Sequence, residues 1–579
     1  MGRKMYLGRL YDLNQGKVTN QPLLYDPDNL TTHAVVMGMT GSGKTGLCIG
    51  LLEEAVLQGI PAIVIDPKGD LTNLLLHFPD LAPHDFQPWL DPEAVRRQGK
   101  TLEQAAVETA QTWREGLISW GIGLDRVQAL KKAAQFAVFT PGSDAGIPVS
   151  VLASLSAPSP QGPSSREALT ERINSTVTAL LGLVGFNEID PLSSREHILL
   201  ANIFQAAWSQ NRPLDLAELI VQIQNPPFEK LGAFPVDSFF PPKERLTLAF
   251  QLNNMLAAPS FELWRIGQPL EIPSLLSTPD GRPRVSVFYI SHLSELERMF
   301  FVTLLLSAVE TWMRAQPGSA SLRALLYMDE IFGYLPPQRN PSSKGPLLRM
   351  LKQARAFGVG LLLATQNPVD VDYKGLSNAG TWFIGKLQTE QDKQRLLDGL
   401  ESAAGDTLNR ADYDRLISAL GKRVFLMHNV HEKAPILFQT RWVMNFLAGP
   451  LTRAQIPALN RLAGAADMTP VSSGREVGAA PLAPADDSAL VESEPTLGQR
   501  LYSASADVPR IRPTRMASQL RPAIPLGVGE YFLPLHLSLA RAADRAGVSL
   551  PAGTVAQIVY RPTLLASAQV RFYNPKYQL

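Results

Sequence analysis

A single cysteine, Cys48, in 579 residues leaves no partner for an intramolecular disulfide, which excludes a disulfide-stapled secreted scaffold and a cysteine-built zinc ribbon. An intracellular setting is the expectation. Charge of one sign is also lacking: 54 Lys and Arg stand against 53 Asp and Glu, a formal net charge of +1, so the chain is no histone-like or tail-driven binder. Any nucleic-acid contact must use a local patch. Long apolar runs are missing as well, since the stretch from Met299 to Val309 is stopped by Glu310, short of the roughly 20 residues that span a bilayer. No secretory apolar stretch follows the opening Met1 to Leu7, so neither a signal peptide nor a membrane span is expected, and the cytoplasm is the expected location.

What is present is a globular balance, 45% hydrophobic and 18% charged residues, in a chain long enough for two to four domains at roughly 100–200 residues each. His33 to Met37 is a short apolar run, Gly38 to Thr45 a glycine-rich turn, and Gly46 to Gln58 carries apolar residues at helical spacing. Ile60 to Asp66 then reads as a buried strand ending at Pro67, so a βαβ unit opens the protein. Further strands are expected at Phe136 to Thr140, Val285 to Ile290, Ala324 to Met328, Gly360 to Ala364, Trp382 to Ile384 and Arg423 to His428. An amphipathic stretch from Thr101 to Lys132 precedes the first of these, and a mainly helical region runs from Ser164 to Glu271. The pattern is that of an α/β core with a mainly parallel sheet, interrupted by insertions. Between Ala448 and Leu501 there is no Phe, Trp or Tyr, and Ala, Pro, Ser and Gly dominate, the composition of a mobile linker.

The chemistry begins with Gly38-Met39-Thr40-Gly41-Ser42-Gly43-Lys44-Thr45-Gly46, a phosphate-loop pattern between a strand and a helix. Glycines let backbone N–H groups converge on phosphate oxygens, the helix N-terminus adds positive potential, Lys44 supplies a cation for the β and γ phosphates, and Thr45 can ligate magnesium. Cys48 follows on the helix as a small buried residue. A phosphate loop needs acids at the end of a neighbouring strand, and Leu325 to Glu330 fits such a Walker B strand. Asp329 would hold magnesium, directly or through water, and Glu330 would orient and deprotonate the attacking water. At the end of another buried strand, Gln366 would sense the γ-phosphate or position water. Leu347 to Phe357 reads as a helix carrying Arg349, Lys352 and Arg355; such charges usually face solvent, but in a ring one of them would reach a neighbouring subunit's nucleotide as an arginine finger.

The ordered set of Thr32 to Met37 into the phosphate loop, Ile65-Asp66-Pro67-Lys68-Gly69-Asp70, Met328-Asp329-Glu330, Gln353 to Gly360, and Ala364-Thr365-Gln366-Asn367 resembles the HerA/FtsK superfamily, in its HerA branch, over about residues 6 to 445. The resemblance implies a RecA-like P-loop NTPase core, ATP and Mg2+ as cofactors, and a hexameric motor on double-stranded DNA, with Arg355 matching the trans-acting finger and Gln366 the strand-end glutamine. Domains are then expected as a short segment at 1–30, a first part of the ATPase core at 31–150, a helical subdomain at 151–280 and a second part of the core at 281–447. A flexible linker at 448–501 and a small C-terminal domain or arm at 502–579 complete the chain. The segment ahead of the loop is shorter than the complete N-terminal β-barrel of archaeal HerA proteins.

Surfaces for DNA are less sharply marked. Arg339 and Lys344, in the loop after the Walker B strand, would meet phosphates in a central channel or sit on an ordinary solvated loop. Arg510, Arg512, Arg515 and Arg521 form a basic stretch that would bind nucleic acid or pack on the ring. Two functions stay open on the sequence: a DNA translocase or helicase, and a non-translocating assembly ATPase that regulates a nuclease or other effector. A small-molecule kinase is disfavoured, because Glu330 and Gln366 suit water activation better than transfer to another hydroxyl.

Overall fold

The computed structural model describes residues 4–151, 155, 166–186, 189–366, 368–404 and 409–465. Asn367, the arginines at 510–521, the expected arm at 502–579 and the greater part of the expected linker lie outside them. Eleven strands form one sheet. They are β1 (Met5–Asp12), β2 (Lys17–Tyr25), β3 (Ala34–Met37), β4 (Ala62–Asp66), β5 (Gln135–Phe139), β6 (Arg284–Tyr289), β7 (Ser319–Met328), β8 (Phe357–Thr365), β9 (Thr381–Ile384), β10 (Val424–Asn429) and β11 (Ile436–Thr440). Their order across the sheet is β2-β1-β11-β10-β9-β3-β8-β7-β4-β6-β5. From β9 to β5 all neighbours are parallel, and from β9 to β2 all are antiparallel. The mainly parallel P-loop fold read from the sequence is therefore present.

The central strands are apolar on both faces because helices cover both. Val35, Met37, Ile63 and Ile65 face one core, while Ala34, Val36, Ala62 and Val64 face the other. The second core takes the helix after the phosphate loop, α1 (Lys44–Leu57), including Cys48. The first takes the helices inserted between β5 and β6, Arg166–Leu183, Arg195–Trp208, Leu216–Gln224 and Pro242–Ala257, together with Glu295–Arg314. No helix among the described residues is long and apolar enough to cross a membrane.

Three expectations are corrected. The helix expected from Leu347 to Phe357 runs Lys344–Gln353, a 3-10 turn covers Ala354–Ala356, and Phe357 already begins β8. Gly358 explains the early stop: its φ of +71° is left-handed, and a Cβ there would sit 2.4 Å from the Ser321 carbonyl of the adjacent strand. Next, Arg423 is not the first strand residue, because its φ of +63° turns the chain ahead of β10. Last, residues 448–465 of the expected linker are packed on the core. Leu451, Ile456, Leu459 and Ala465 are buried, and Ile456–Leu462 is a helix. Asn460 holds that helix to the sheet by accepting from the Val138 N–H (2.8 Å) and donating to the Val138 carbonyl (2.9 Å), and with the Ile147 N–H, which donates to the same carbonyl (3.1 Å), it covers the edge of β5. Missing aromatics therefore mislead here, since aliphatic contacts and one carboxamide do the docking.

Candidate functional site

Parallel strands bring their C-terminal ends to one side of the sheet, and β8 lies between β3 and β7. The end of β8 is thus flanked by the phosphate loop and by the Walker B acids. Gly38–Gly43 leaves β3 and enters α1 at Lys44 with Gly41 at φ +78° and Gly43 at φ +106°, conformations that favour glycine. Neighbouring strands brace the loop: the Gly38 N–H donates to Thr365 O (3.4 Å), Met39 N–H to Lys386 O (2.8 Å), and Arg423 N–H to Ser42 O (2.8 Å).

Thr40, Gly41, Gly43, Lys44, Thr45, Gly46, Asp329, Glu330 and Gln366 all line one cavity of about 430 Å³. The Thr40 hydroxyl donates to the Gln366 side-chain oxygen, tying the phosphate loop to the end of β8. Glu330, 6% exposed, stands in a left-handed conformation (φ +52°) at the first turn after β7. Its two oxygens take Lys68 Nζ at 2.6 Å and the Gln366 N–H at 3.4 Å. Burial pushes the Asp329 carboxyl up to about 6, with adjacent Glu330 adding to the rise and Lys68 and Lys44 opposing it. Burial lowers the Lys44 pKa, and Glu330 and Asp329 pull it back. Cys48, just below, is buried and its thiol is pushed up to about 12, so it is an inert packing residue.

The loop fits a polyphosphate. The buried Ser42 hydroxyl has no hydrogen-bond partner among the described residues. A Cβ at Gly38 would come within 2.7 Å of that hydroxyl, so only glycine leaves it room. Thr45 and Asp329 on the same cavity wall supply a hydroxyl and a carboxylate, hard oxygen donors suited to magnesium.

Residues 5–112 match the family described as the central domain of helicase HerA. The matched stretch holds the phosphate loop and the turn after β4. The HerA/FtsK resemblance carried by the motifs is thereby shown. A stretch of 52 residues is 42% identical to the type 4 coupling protein DotL of Legionella pneumophila, covering 9% of this chain and only 7% of that protein. Among solved structures, VirB4 of Thermoanaerobacter pseudethanolicus aligns with a TM-score of 0.45 at 15% identity, over 76% of this chain and 97% of that one. The plasmid coupling protein TrwB in complex with a non-hydrolysable ATP analogue aligns at 0.44 and 12% identity, over 78% of this chain and 98% of that one.

Not every expected site residue joins the cavity. Arg355 stands at the opposite end of β8, a strand of 9 residues, which at ~3.3 Å per residue places it about 30 Å from Gln366. It is exposed, makes no ion pair or side-chain hydrogen bond among the described residues, and lines a separate cleft with Asp26, Asp28, Lys352 and His431. Arg349 is withdrawn from any such role by a two-pronged bond to buried Glu310, at 2.8 and 2.9 Å. Lys344, expected to face phosphates, is buried and paired with Asp372 at 2.9 Å, which leaves Arg339 as the exposed cation of that pair.

Sequence reasoning gave no role to three residues around the cavity. Lys68 was visible only as a lone cation following a buried acidic strand end. Arg423 carries no local signal, yet it braces Ser42, donates to the Thr440 and Arg441 carbonyls (3.0 and 3.1 Å) and lies over the Trp442 ring. Arg441 is buried between Glu53 and Glu54 of α1, at 2.7 and 3.0 Å, and fixes the helix behind the loop.

Proposed function

We propose that this chain is an ATP-hydrolysing, magnesium-dependent ring motor, cytoplasmic and hexameric, that translocates on or unwinds double-stranded DNA. The observation that carries the reading is the convergence of the phosphate loop, Asp329, Glu330 and Gln366 on one cavity. Lys44 and the loop N–H groups would hold the β and γ phosphates, and Thr45 and Asp329 would hold the magnesium ion. Bound there, magnesium neutralises charge on the phosphate oxygens. Glu330 would take the proton of a water whose oxygen bonds to the γ-phosphorus while the bond to the β–γ bridging oxygen breaks, giving ADP and phosphate. Gln366, tied to Thr40, would register whether the γ-phosphate is present. Arg355 is too far from its own subunit's cavity to act there, which favours a neighbouring subunit's nucleotide as its target.

The match to the HerA central domain supports a motor, and the unpaired Arg355 supports a ring. The test measures solution mass with and without ATP, and ATPase rate with and without long duplex DNA. A hexamer whose turnover rises with duplex is expected. A ring with unchanged turnover would replace the translocase by an assembly ATPase acting on a nuclease or other effector, and absence of hydrolysis would end the reading.

A further inference from the structure

Among the described residues Lys68 is the one cation in an ion pair with the candidate base, Glu330, and its backbone is held firmly in place. The buried Asp66 carboxylate accepts four N–H bonds from the turn that follows it: Lys68 (3.1 Å) and Gly69 (2.7 Å) on one oxygen, Leu71 (2.9 Å) and Thr72 (3.2 Å) on the other. Gly69 adopts φ +94°, and a Cβ there would lie 2.9 Å from the Leu451 carbonyl and 3.0 Å from the Tyr289 ring. Leu451 donates its N–H to Gly69 O (3.3 Å), and Asn73 ties the same region to Gly449 and Ala448. The turn is therefore clamped from within and by the segment after β11.

From that fixed root the Lys68 ammonium lies 2.6 Å from one oxygen of Glu330. Among the described residues, the other oxygen has only the long bond from the Gln366 N–H. Asp329 is adjacent in the chain and Asp70 lies close enough to be felt, so without Lys68 two like charges would push Glu330 away from the place where a water must be met. We propose, on the reading of this cavity as an ATPase site, that Lys68 is a positioning residue of the hydrolytic step: it holds the Glu330 carboxylate toward the phosphate loop and acts through that carboxylate. Lys44, not Lys68, carries the phosphates.

The experiment compares wild type, Lys68→Ala, Lys68→Arg, Glu330→Gln and the double variant Lys68→Ala/Glu330→Gln. It measures kcat and KM for ATP, single-turnover rates, the Kd of a fluorescent ATP analogue, and Tm as the check on folding. Lys68→Ala should lower kcat about tenfold or more while Kd moves less than about threefold, and Lys68→Arg should keep most of the activity. The double variant should turn over no more slowly than Glu330→Gln alone, because the lysine has nothing left to position. Two results overturn the proposal: a Kd raised about tenfold with kcat retained, which would make Lys68 a phosphate ligand, or losses that multiply in the double variant. Wild-type protein that binds the analogue but hydrolyses no ATP would overturn the ATPase reading, and the role of Lys68 with it, before any variant is compared.

Discussion

The two ends of the parallel strands are built differently. At the C-terminal ends, Lys44, Lys68, Asp329 and Glu330 crowd one cavity and neutralise one another, and loop, turn and strand are cross-linked by hydrogen bonds. At the N-terminal ends, Arg355 and Lys352 stand in an open cleft beside Asp26 and Asp28, and Arg355 is left without a partner among the described residues. One end is thus complete in itself, apart from a positive charge for the transition state. The other end holds an exposed arginine, the finger of the proposed ring. In the ring proposed above, rotation would bring the open end of one copy to the complete end of the next.

The comparison breaks most sharply at Arg355. Arg355→Ala should bind ATP normally and lose hydrolysis by on the order of 10³-fold or more, the scale of arginine fingers. Mixing it with Lys44→Ala subunits should restore activity, because an intact loop can then face an intact finger. Absence of rescue, once light scattering shows that mixed rings form and exchange, would make Arg355 structural. At the complete end, Glu330→Gln keeps the shape of the side chain but removes the base and the charge paired with Lys68; hydrolysis should fall by about 10²- to 10³-fold with ATP still bound, read by single-turnover kinetics and nucleotide co-elution.

Away from both ends, Asn460→Ala leaves the buried Val138 N–H of the β5 edge without its acceptor and takes one of the two donors from the Val138 carbonyl. A loss of about 2 kcal/mol is expected in denaturant unfolding, with KM for ATP unchanged. The remaining effect is acid sensitivity, which is negligible at neutral pH and grows only below it. His33, at the N-terminal end of β3, is held by burial at about 4, and buried His77 at about 3, below the ordinary value of 6.5. Folding therefore prefers the neutral rings. That stability is present above 6.5 and is lost as pH falls through 6.5 toward 4, at about 1.4 kcal/mol per pH unit for each histidine. His77→Phe should flatten the fall of Tm over that window; an unchanged slope would place the lability elsewhere.

Much of the complete end was legible because its residues sit in contiguous stretches whose spacing is the chemistry: a glycine turn before Lys44, an apolar strand before Asp329 and Glu330, another before Gln366. The open end was legible only in part. Arg355 could be found, but the end of its helix depended on Gly358 meeting Ser321 on another strand. Lys68 and Glu330 are 262 residues apart, and Arg441 and Glu54 are 387 apart, so no local pattern announces either pair. The antiparallel flank of β1, β2 and β11 was missed for the same reason. Its strands are only partly buried and carry less apolar signal than β3 or β4.

The strand order also bears on how the protein is made. Residues 5–112 supply β1 to β4, but in the sheet β3 lies between β8 and β9, and β4 between β7 and β6. Only β1 and β2 of the four touch each other. On the ribosome the phosphate loop would emerge early, with its strand lacking both neighbours until residues 357–384 had followed and its brace Arg423 later still. Nucleotide would then stabilise the finished fold and not its early stages, because the site needs strands that follow late in the chain. A fragment ending at residue 112 should accordingly be an unfolded piece, however well its sequence marks the family.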